Sequence, residues 1–256
     1  IFHFFTIAGP GCMAMLADTD AGSIITAAQS GARWGYRLLW LQILLIPILY
    51  LVQELTVRLG LSTGKGQGSL IHEYFGRGWA WFSAIVLFIS AVGALITEFA
   101  GISGAGLLFH ISPRYSVSLA VIFLLGVVLT GSYRRVELIG IAVGLFEVSL
   151  VIAAYLAHPD VTSMKSQFFS VPITDRDYFN LIAANVGAVI MPWMIFYQQG
   201  AIVDKGLCCS CEDNFQCCRW DTAIGSVFAQ VIMAGALVLT AATIGKVNPN
   251  APLNSV

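Results

Sequence analysis

An all-α, polytopic membrane protein is the fold class this sequence predicts, and three observations predict it. Of 256 residues, 57% are hydrophobic and only 11% charged, with a mean hydropathy of +0.81, far from the balance of a water-soluble domain. Seven apolar runs lie near the roughly 20 residues that a helix needs to cross a bilayer: 7–31, 36–57, 79–109, 115–131, 136–157, 179–201 and 221–245. The first and the sixth carry polar residues, glycine or proline at mid-length, so both read as interrupted helices. A formal net charge of -1 leaves no basic excess for nucleic acid and no acidic tail, so partners must be read from local features.

Span one contains "LADTDAGSIITAAQSG", residues 16–31, where Asp18, Asp20, Gly22, Ser23 and Thr26 break an apolar helix. Lipid supplies no hydrogen-bond partners, so non-helical backbone at membrane depth is tolerated only where it is buried or lines a polar cavity. The break therefore predicts a site. Gly22 is expected to take backbone angles closed to other residues, and Asp20 to offer a fixed negative charge to a cation. The alternative puts Asp18 and Asp20 at a solvated helix end with Gly22 as an ordinary cap.

Span two ends on Glu54 and Arg58, a helical i, i+4 pair worth tenths of a kcal/mol when exposed. Span three carries Glu98, span four no charge, and span five Glu147 in "GLFEVSLV". A carboxyl at mid-span is costly, so Glu147 is read either as a neutral acid packed between helices or as a group on an ion path. Span six reads "NVGAVIMPWMIFYQQG". Pro192 has no amide hydrogen and clashes with the carbonyl of Ala188, which is thereby freed, while Met191 brings a thioether to the same place. Gln198 and Gln199 follow, able to meet metal-bound water or to bridge helices. Secondary transporters place discontinuous helices at corresponding positions of two repeats and bind their substrate between them.

Lys and Arg divide almost evenly between alternate loops, so the positive-inside rule does not orient the chain. Cys208, Cys209, Cys211, Cys217 and Cys218 crowd the segment before span seven, but their spacing is not a standard zinc pattern and a solvated loop is expected. A retinal protein would need a lysine within its last helix, whereas Lys246 stands at the end of span seven. An enzyme is not expected: "HEYF" at 72–75 lacks the second histidine of a metalloprotease helix. An amino-acid transporter would share the broken helices, but Asp20 suits a cation better than a carboxylate.

Several stretches, among them "DTDAGS", "QSGARWGYRLLW", "RLGLSTGKG", "TEFAGISGAGLLF", "RRVELIG" and "GAVIMPW", resemble the NRAMP family of divalent-metal transporters over essentially the whole chain. The resemblance implies a LeuT-type fold of two inverted five-helix repeats: a single transmembrane domain over 1–256, with a first repeat at about 1–157 and an incomplete second one at about 179–256. On that basis the chain is expected to be a fragment lacking three or more helices. The resemblance also implies that Asp20, Ser23, the Ala188 carbonyl and Met191 hold the metal, with Glu98 beside the site. Trp193, Glu147 and Gln198 are placed with Glu98 along the ion path.

The sequence departs from the family pattern at informative places. The Asp-Pro-Gly-Asn motif is Asp20-Ala21-Gly22-Ser23 here, Met-Pro-His is Met191-Pro192-Trp193, and Leu95 replaces an Asp three positions before Glu98. Proton-coupled members carry that His and that Asp, and histidine is the side chain that titrates near neutral pH. Here His3, His72, His110 and His158 all lie near span ends. Ser23 is shorter than Asn and leaves room for metal-bound water, which Mg2+ retains. The combination resembles the NRAMP-related magnesium transporters, which carry Mg2+ and Mn2+ without protons, although a Met191 thioether favours softer metals. The alternative is a proton-coupled Mn2+/Fe2+ symporter. No cofactor beyond the transported ion and no nucleic-acid partner is expected, and the oligomeric state is open. A multi-pass place in a cell membrane, a prokaryotic inner membrane by resemblance, completes the expectation.

Overall fold

Each regular element of this computed structural model is a helix, over the described residues 10–129, 133–172, 175–206 and 212–247. The first span is two pieces, α1 (Pro10–Asp18) and α2 (Ala21–Trp34), followed by a 3-10 turn (Gly35–Leu38) and α3 (Leu39–Thr63). Next come α4 (Gln67–Phe75), α5 (Arg77–Leu108), α6 (Pro113–Leu129) and α7 (Tyr133–Gly144). A second 3-10 turn (Leu145–Glu147) leads to α8 (Val148–Leu156), α9 (Val161–Phe168) and α10 (Arg176–Val189). The described chain closes with α11 (Pro192–Asp204), α12 (Glu212–Ala242) and the short α13 (Ile244–Val247).

Five helical stretches among the described residues are long and apolar enough to cross a membrane: 21–63, 77–108, 138–156, 176–204 and 215–246. Helix α6, at 17 residues, is a shorter apolar helix. These five stretches and the seven runs read from the sequence differ because α6 is short and because α2 and α3, though separate helices, follow one another in one helical run of 43 residues. The chain turns within that run at Gly35, whose φ of +61° is one that L side chains rarely adopt.

Helix α12 is the organising element, packed along α1, α2, α3 and α8, with 56% of its most apolar stretch buried. Membrane helices gain little from apolar contact alone, because lipid is as apolar as a neighbouring helix, so close approach must do the work. Gly31 provides it, since a Cβ there would lie 2.1 Å from the Leu237 carbonyl oxygen. Thr240 Oγ1 donates to the Ala28 carbonyl at 2.8 Å across the same contact. The main core cluster is built on Leu38, Leu41, Leu45, Leu49, Tyr178 and Leu237. Asn185 pins α10 into it: Nδ2 donates to Ser30 Oγ at 2.8 Å, and Oδ1 accepts from Gln42 Nε2 at 2.9 Å. Helix α5 is the opposite case, with Phe82, Ile85, Phe88 and Ile89 exposed and only Gly106 buried. Away from Thr97 and Glu98, its apolar residues are left uncovered by the other described helices.

One expectation is extended and one changes. The Glu54 and Arg58 pair is not confined to its own helix, and Glu54 is only 4% exposed. Glu54 Oε1 meets Arg58 Nη2 at 2.7 Å and Arg219 Nε at 3.4 Å. The Phe215 ring lies under both guanidiniums, at 5.7 and 5.5 Å. The cysteine cluster is not wholly a loop either. Helix α12 begins at Glu212, nine residues before the expected 221, so Cys217 and Cys218 are helical. Cys218 is buried in a cluster with Val57, Leu61 and Ile202. Cys208, Cys209 and Cys211 lie outside the described residues.

Candidate functional site

The first break is set by Thr19 and Asp20. The Thr19 hydroxyl lies within hydrogen-bonding reach of two acceptors, the Leu16 carbonyl at 2.8 Å and Glu147 Oε2, which stands on the second 3-10 turn. Asp20 is extended (φ -72°, ψ 170°) and caps α2, its Oδ1 accepting the Ser23 amide at 2.6 Å. Glu98 Oε1, reaching from α5, accepts the Ala21 amide at 2.9 Å. The first amides of a helix have no partner within it and carry partial positive charge, so two carboxylates at this end are favourable.

Gly22 does not have the role expected of it. The glycines in the left-handed region are Gly35, Gly64, Gly76 and Gly206 among the described residues, and Gly22 sits in ordinary helix. A Cβ at Gly22 would meet Asp20 Oδ1 at 3.4 Å and Thr97 Oγ1 at 3.5 Å, ordinary contacts. Because Asp20 and Glu98 satisfy the exposed amides, a normal helix start suffices and no special backbone angle is needed. Asp18 and Asp20 do stand at helix ends, as the alternative has it, but they are not freely solvated: Asp18 is buried at 3% exposure and Asp20 is half-buried.

The second break separates α10 from α11. Ile190 and Met191 leave helical geometry, at φ -111°, ψ 82° and φ -100°, ψ 138°. Pro192 then opens α11 at its first position, where a missing amide hydrogen costs nothing. It starts a new helix instead of kinking an old one. Ala188 still lacks a donor four residues on, and its carbonyl accepts from Ser23 Oγ at 3.1 Å. That hydrogen bond joins the two breaks directly. Two residues beyond Met191, Trp193 Nε1 donates to the Met191 sulfur at 3.2 Å.

Asp20, Ser23, Ala188 and Met191 line one cavity of about 290 Å³. A second cavity, of about 650 Å³, is lined by Thr19, Leu95, Glu98, Glu147 and Trp193 together with Asp20. Asp20 and Ala94 line both, so the Asp20 carboxylate stands where the two spaces adjoin. Seven of the eight residues singled out in the sequence thus come together. Gln198 does not: it lines neither cavity and donates through Nε2 to Thr222 Oγ1 at 3.1 Å, within the α11–α12 contact. Thr19 and Thr97 were not singled out in the sequence. Thr19 lies inside the break, and Thr97, next to Glu98 in sequence, lines the narrow cavity. A hydroxyl flanking a carboxylate in an apolar span was the available signal.

Chemically, the narrow cavity offers one carboxylate, a carbonyl at the C-terminal end of α10, a thioether, and the hydroxyl of Ser23 among the hydroxyl-bearing residues Thr26, Ser90 and Thr97. The helix dipole makes that carbonyl end attractive to a cation. No group of three His, Cys, Asp or Glu side chains is placed to hold a metal among the described residues. One charge with neutral donors suits an ion that must bind and then leave.

A family model described as Nramp, natural resistance-associated macrophage protein-like, matches residues 11–253. The divalent metal cation transporter MntH of Erwinia tasmaniensis is 26% identical over 243 residues, covering 93% of this chain and 59% of that protein. The MntH of Verminephrobacter eiseniae is 30% identical over 197 residues, covering 75% of this chain and 45% of its own length. This chain therefore spans about half the length of the curated relatives it matches. A crystal structure of the Eremococcus coleocola manganese transporter, in complex with an aromatic bis-isothiourea substituted compound, shares the fold. It superimposes with a TM-score of 0.83 at 18% identity, covering 96% of this chain and 53% of that one.

Proposed function

The chain belongs to the Nramp family, whose members are transporters and not enzymes, and on that premise we propose that it carries divalent metal cations through a membrane. The cargo we assign is Mg2+ and Mn2+, moved down their own gradient without protons. The observation that carries this reading is the Ser23–Ala188 hydrogen bond, which ties two helix breaks together with Asp20 and Met191 on the same cavity. The names of the relatives support divalent metal, and manganese in particular. Leu95 and Trp193, neither of which titrates, line the wider cavity at the positions where the resemblance would place an Asp and a His, and this supports uncoupled movement. The donor oxygens of Asp20, Ser23 and Ala188 support a hard ion that keeps part of its water.

The assignment extends to the domain. Residues 1–157 form a first repeat and 179–256 part of a second, and the cation sits between their broken helices. The membrane is a prokaryotic inner membrane.

The test is metal uptake into vesicles by the full-length protein, for Mg2+ and Mn2+, with and without an imposed pH gradient. Uptake that is lost in Asp20→Ala and indifferent to the gradient is expected. Absence of uptake, or uptake unchanged in Asp20→Ala, overturns the reading. One observation favours a second reading: Glu98 and Glu147 share the wider cavity with Asp20 and could pass protons along it. Acidification of the vesicle interior in step with metal entry would establish that proton-coupled symporter instead.

A further inference from the structure

Met191 is the discordant donor of the narrow cavity. Its thioether favours soft transition metals, while the carboxylate, hydroxyl and carbonyl around it favour hard ions. The geometry resolves the conflict, because the sulfur is already engaged by the Trp193 indole N–H at 3.2 Å. The two residues stand on different spaces: Met191 lines the narrow cavity, Trp193 the wider one, and Asp20 lines both. Their hydrogen bond therefore links a residue of one cavity to a residue of the other. Both side chains are half-buried and pack against the main core cluster, which fixes the indole in place. A thioether sulfur is a weak acceptor, and a hydrogen bond to one lone pair draws electron density from the atom and holds its orientation.

We propose that Trp193 is a specificity-determining residue that masks the Met191 sulfur, leaving the oxygens of Asp20, Ser23 and Ala188 to choose the ion. The inference rests on the reading of this cavity as the cation site. It assigns to Trp193 a discrimination against soft cations, exerted through Met191 and not through contact with the metal.

The test uses Cd2+ as a soft probe and Mg2+ as a hard one, each titrated against the purified full-length protein by calorimetry. Trp193→Phe keeps an aromatic ring and removes the N–H, and Trp193→Leu removes the N–H by a different shape, so either variant that folds is sufficient. The expected result is a rise of about five- to tenfold in the Cd2+ to Mg2+ affinity ratio, the factor for losing one hydrogen bond of ordinary net strength. X-ray absorption of bound Cd2+ should then show a sulfur neighbour that the wild type lacks or shows more weakly. Adding Met191→Leu to Trp193→Phe should abolish the gain. An unchanged ratio, an unchanged sulfur signal, or a gain that survives in the double variant overturns the proposal while leaving the transport reading intact. Metal binding that is indifferent to Asp20→Asn in the wild type overturns both, and is recognisable because it appears without any change at Trp193.

Discussion

Asp20 performs two tasks that substitution can separate. Its Oδ1 caps α2 through the Ser23 amide at 2.6 Å, and its carboxylate faces both cavities. Asn caps a helix as well as Asp does, whereas Ala costs about 1 kcal/mol at such a position. Asp20→Asn is therefore expected to keep the thermal midpoint within a degree or two while abolishing metal uptake. Asp20→Ala should lose both; equal midpoints for the two variants would show that the cap is irrelevant. Asp160 makes the comparison outside the membrane, capping α9 with hydrogen bonds from Ser163 Oγ at 2.5 Å and the Thr162 amide at 3.0 Å. These bonds, the Ser163 one foremost, hold the Asp160 carboxyl below the usual carboxylate range. A depressed folded-state value contributes stability above the unfolded Asp value of about 3.9, lost as pH falls through the lower folded one. Amide exchange in α9, corrected for intrinsic rate, should stay slow at pH 5 and quicken only well below pH 4. In Ser163→Ala the quickening should move to higher pH, and an unmoved profile would refute the assignment.

At the scale of elements, what the sequence made legible was what local chemistry decides. Asp20, Ala188 and Met191 were readable because a charge in an apolar span and a proline without an amide hydrogen each force a break where they stand, whereas Ser23 came from the family resemblance alone. That Ser23 and Ala188 touch across 165 positions depends on the packing of α2 against α10, which no local pattern encodes. Gln198 was misplaced for the same reason: its amide is taken by Thr222 of another helix. Glycines show the limit most clearly. Gly22 drew attention beside two carboxylates, yet a Cβ there meets only ordinary contacts, whereas one at Gly31 would lie 2.1 Å from a carbonyl oxygen of α12. Gly22→Ala is thus expected to fold with an unfolding midpoint near that of the wild type. Gly31→Ala must push α2 from α12 and should lose about 1–3 kcal/mol, the usual cost of overpacking. Thermal unfolding in detergent checks the pair, and the reverse ranking would mean that the α2–α12 approach is looser than described.

At the scale of the whole molecule, a buried carboxylate ties an early helix to a late one. Glu54, on α3, holds Arg58 of its own helix and Arg219 of α12, with Phe215 beneath both guanidiniums. The partners are unequally placed: the Glu54 side chain is 6% exposed, against 58% for Arg58 and 39% for Arg219. Removing the carboxylate leaves two cations that already reach water, whereas removing both cations leaves a charge sealed between helices. Glu54→Gln should therefore cost about 1 kcal/mol, in the range of exposed ion pairs. The double variant Arg58→Met, Arg219→Met keeps the apolar stems but strands the carboxylate, and should cost about 3–5 kcal/mol. Because the tie spans α3 and α12, whose contact also carries Val57, Leu61 and Cys218 with Ile202 of α11 in the same cluster, the loss should appear as one cooperative unfolding step at lower temperature. If Glu54→Gln were instead the more damaging change, the carboxylate would be serving the helix contact through its hydrogen-bonding shape, and the charge would be incidental to the tie.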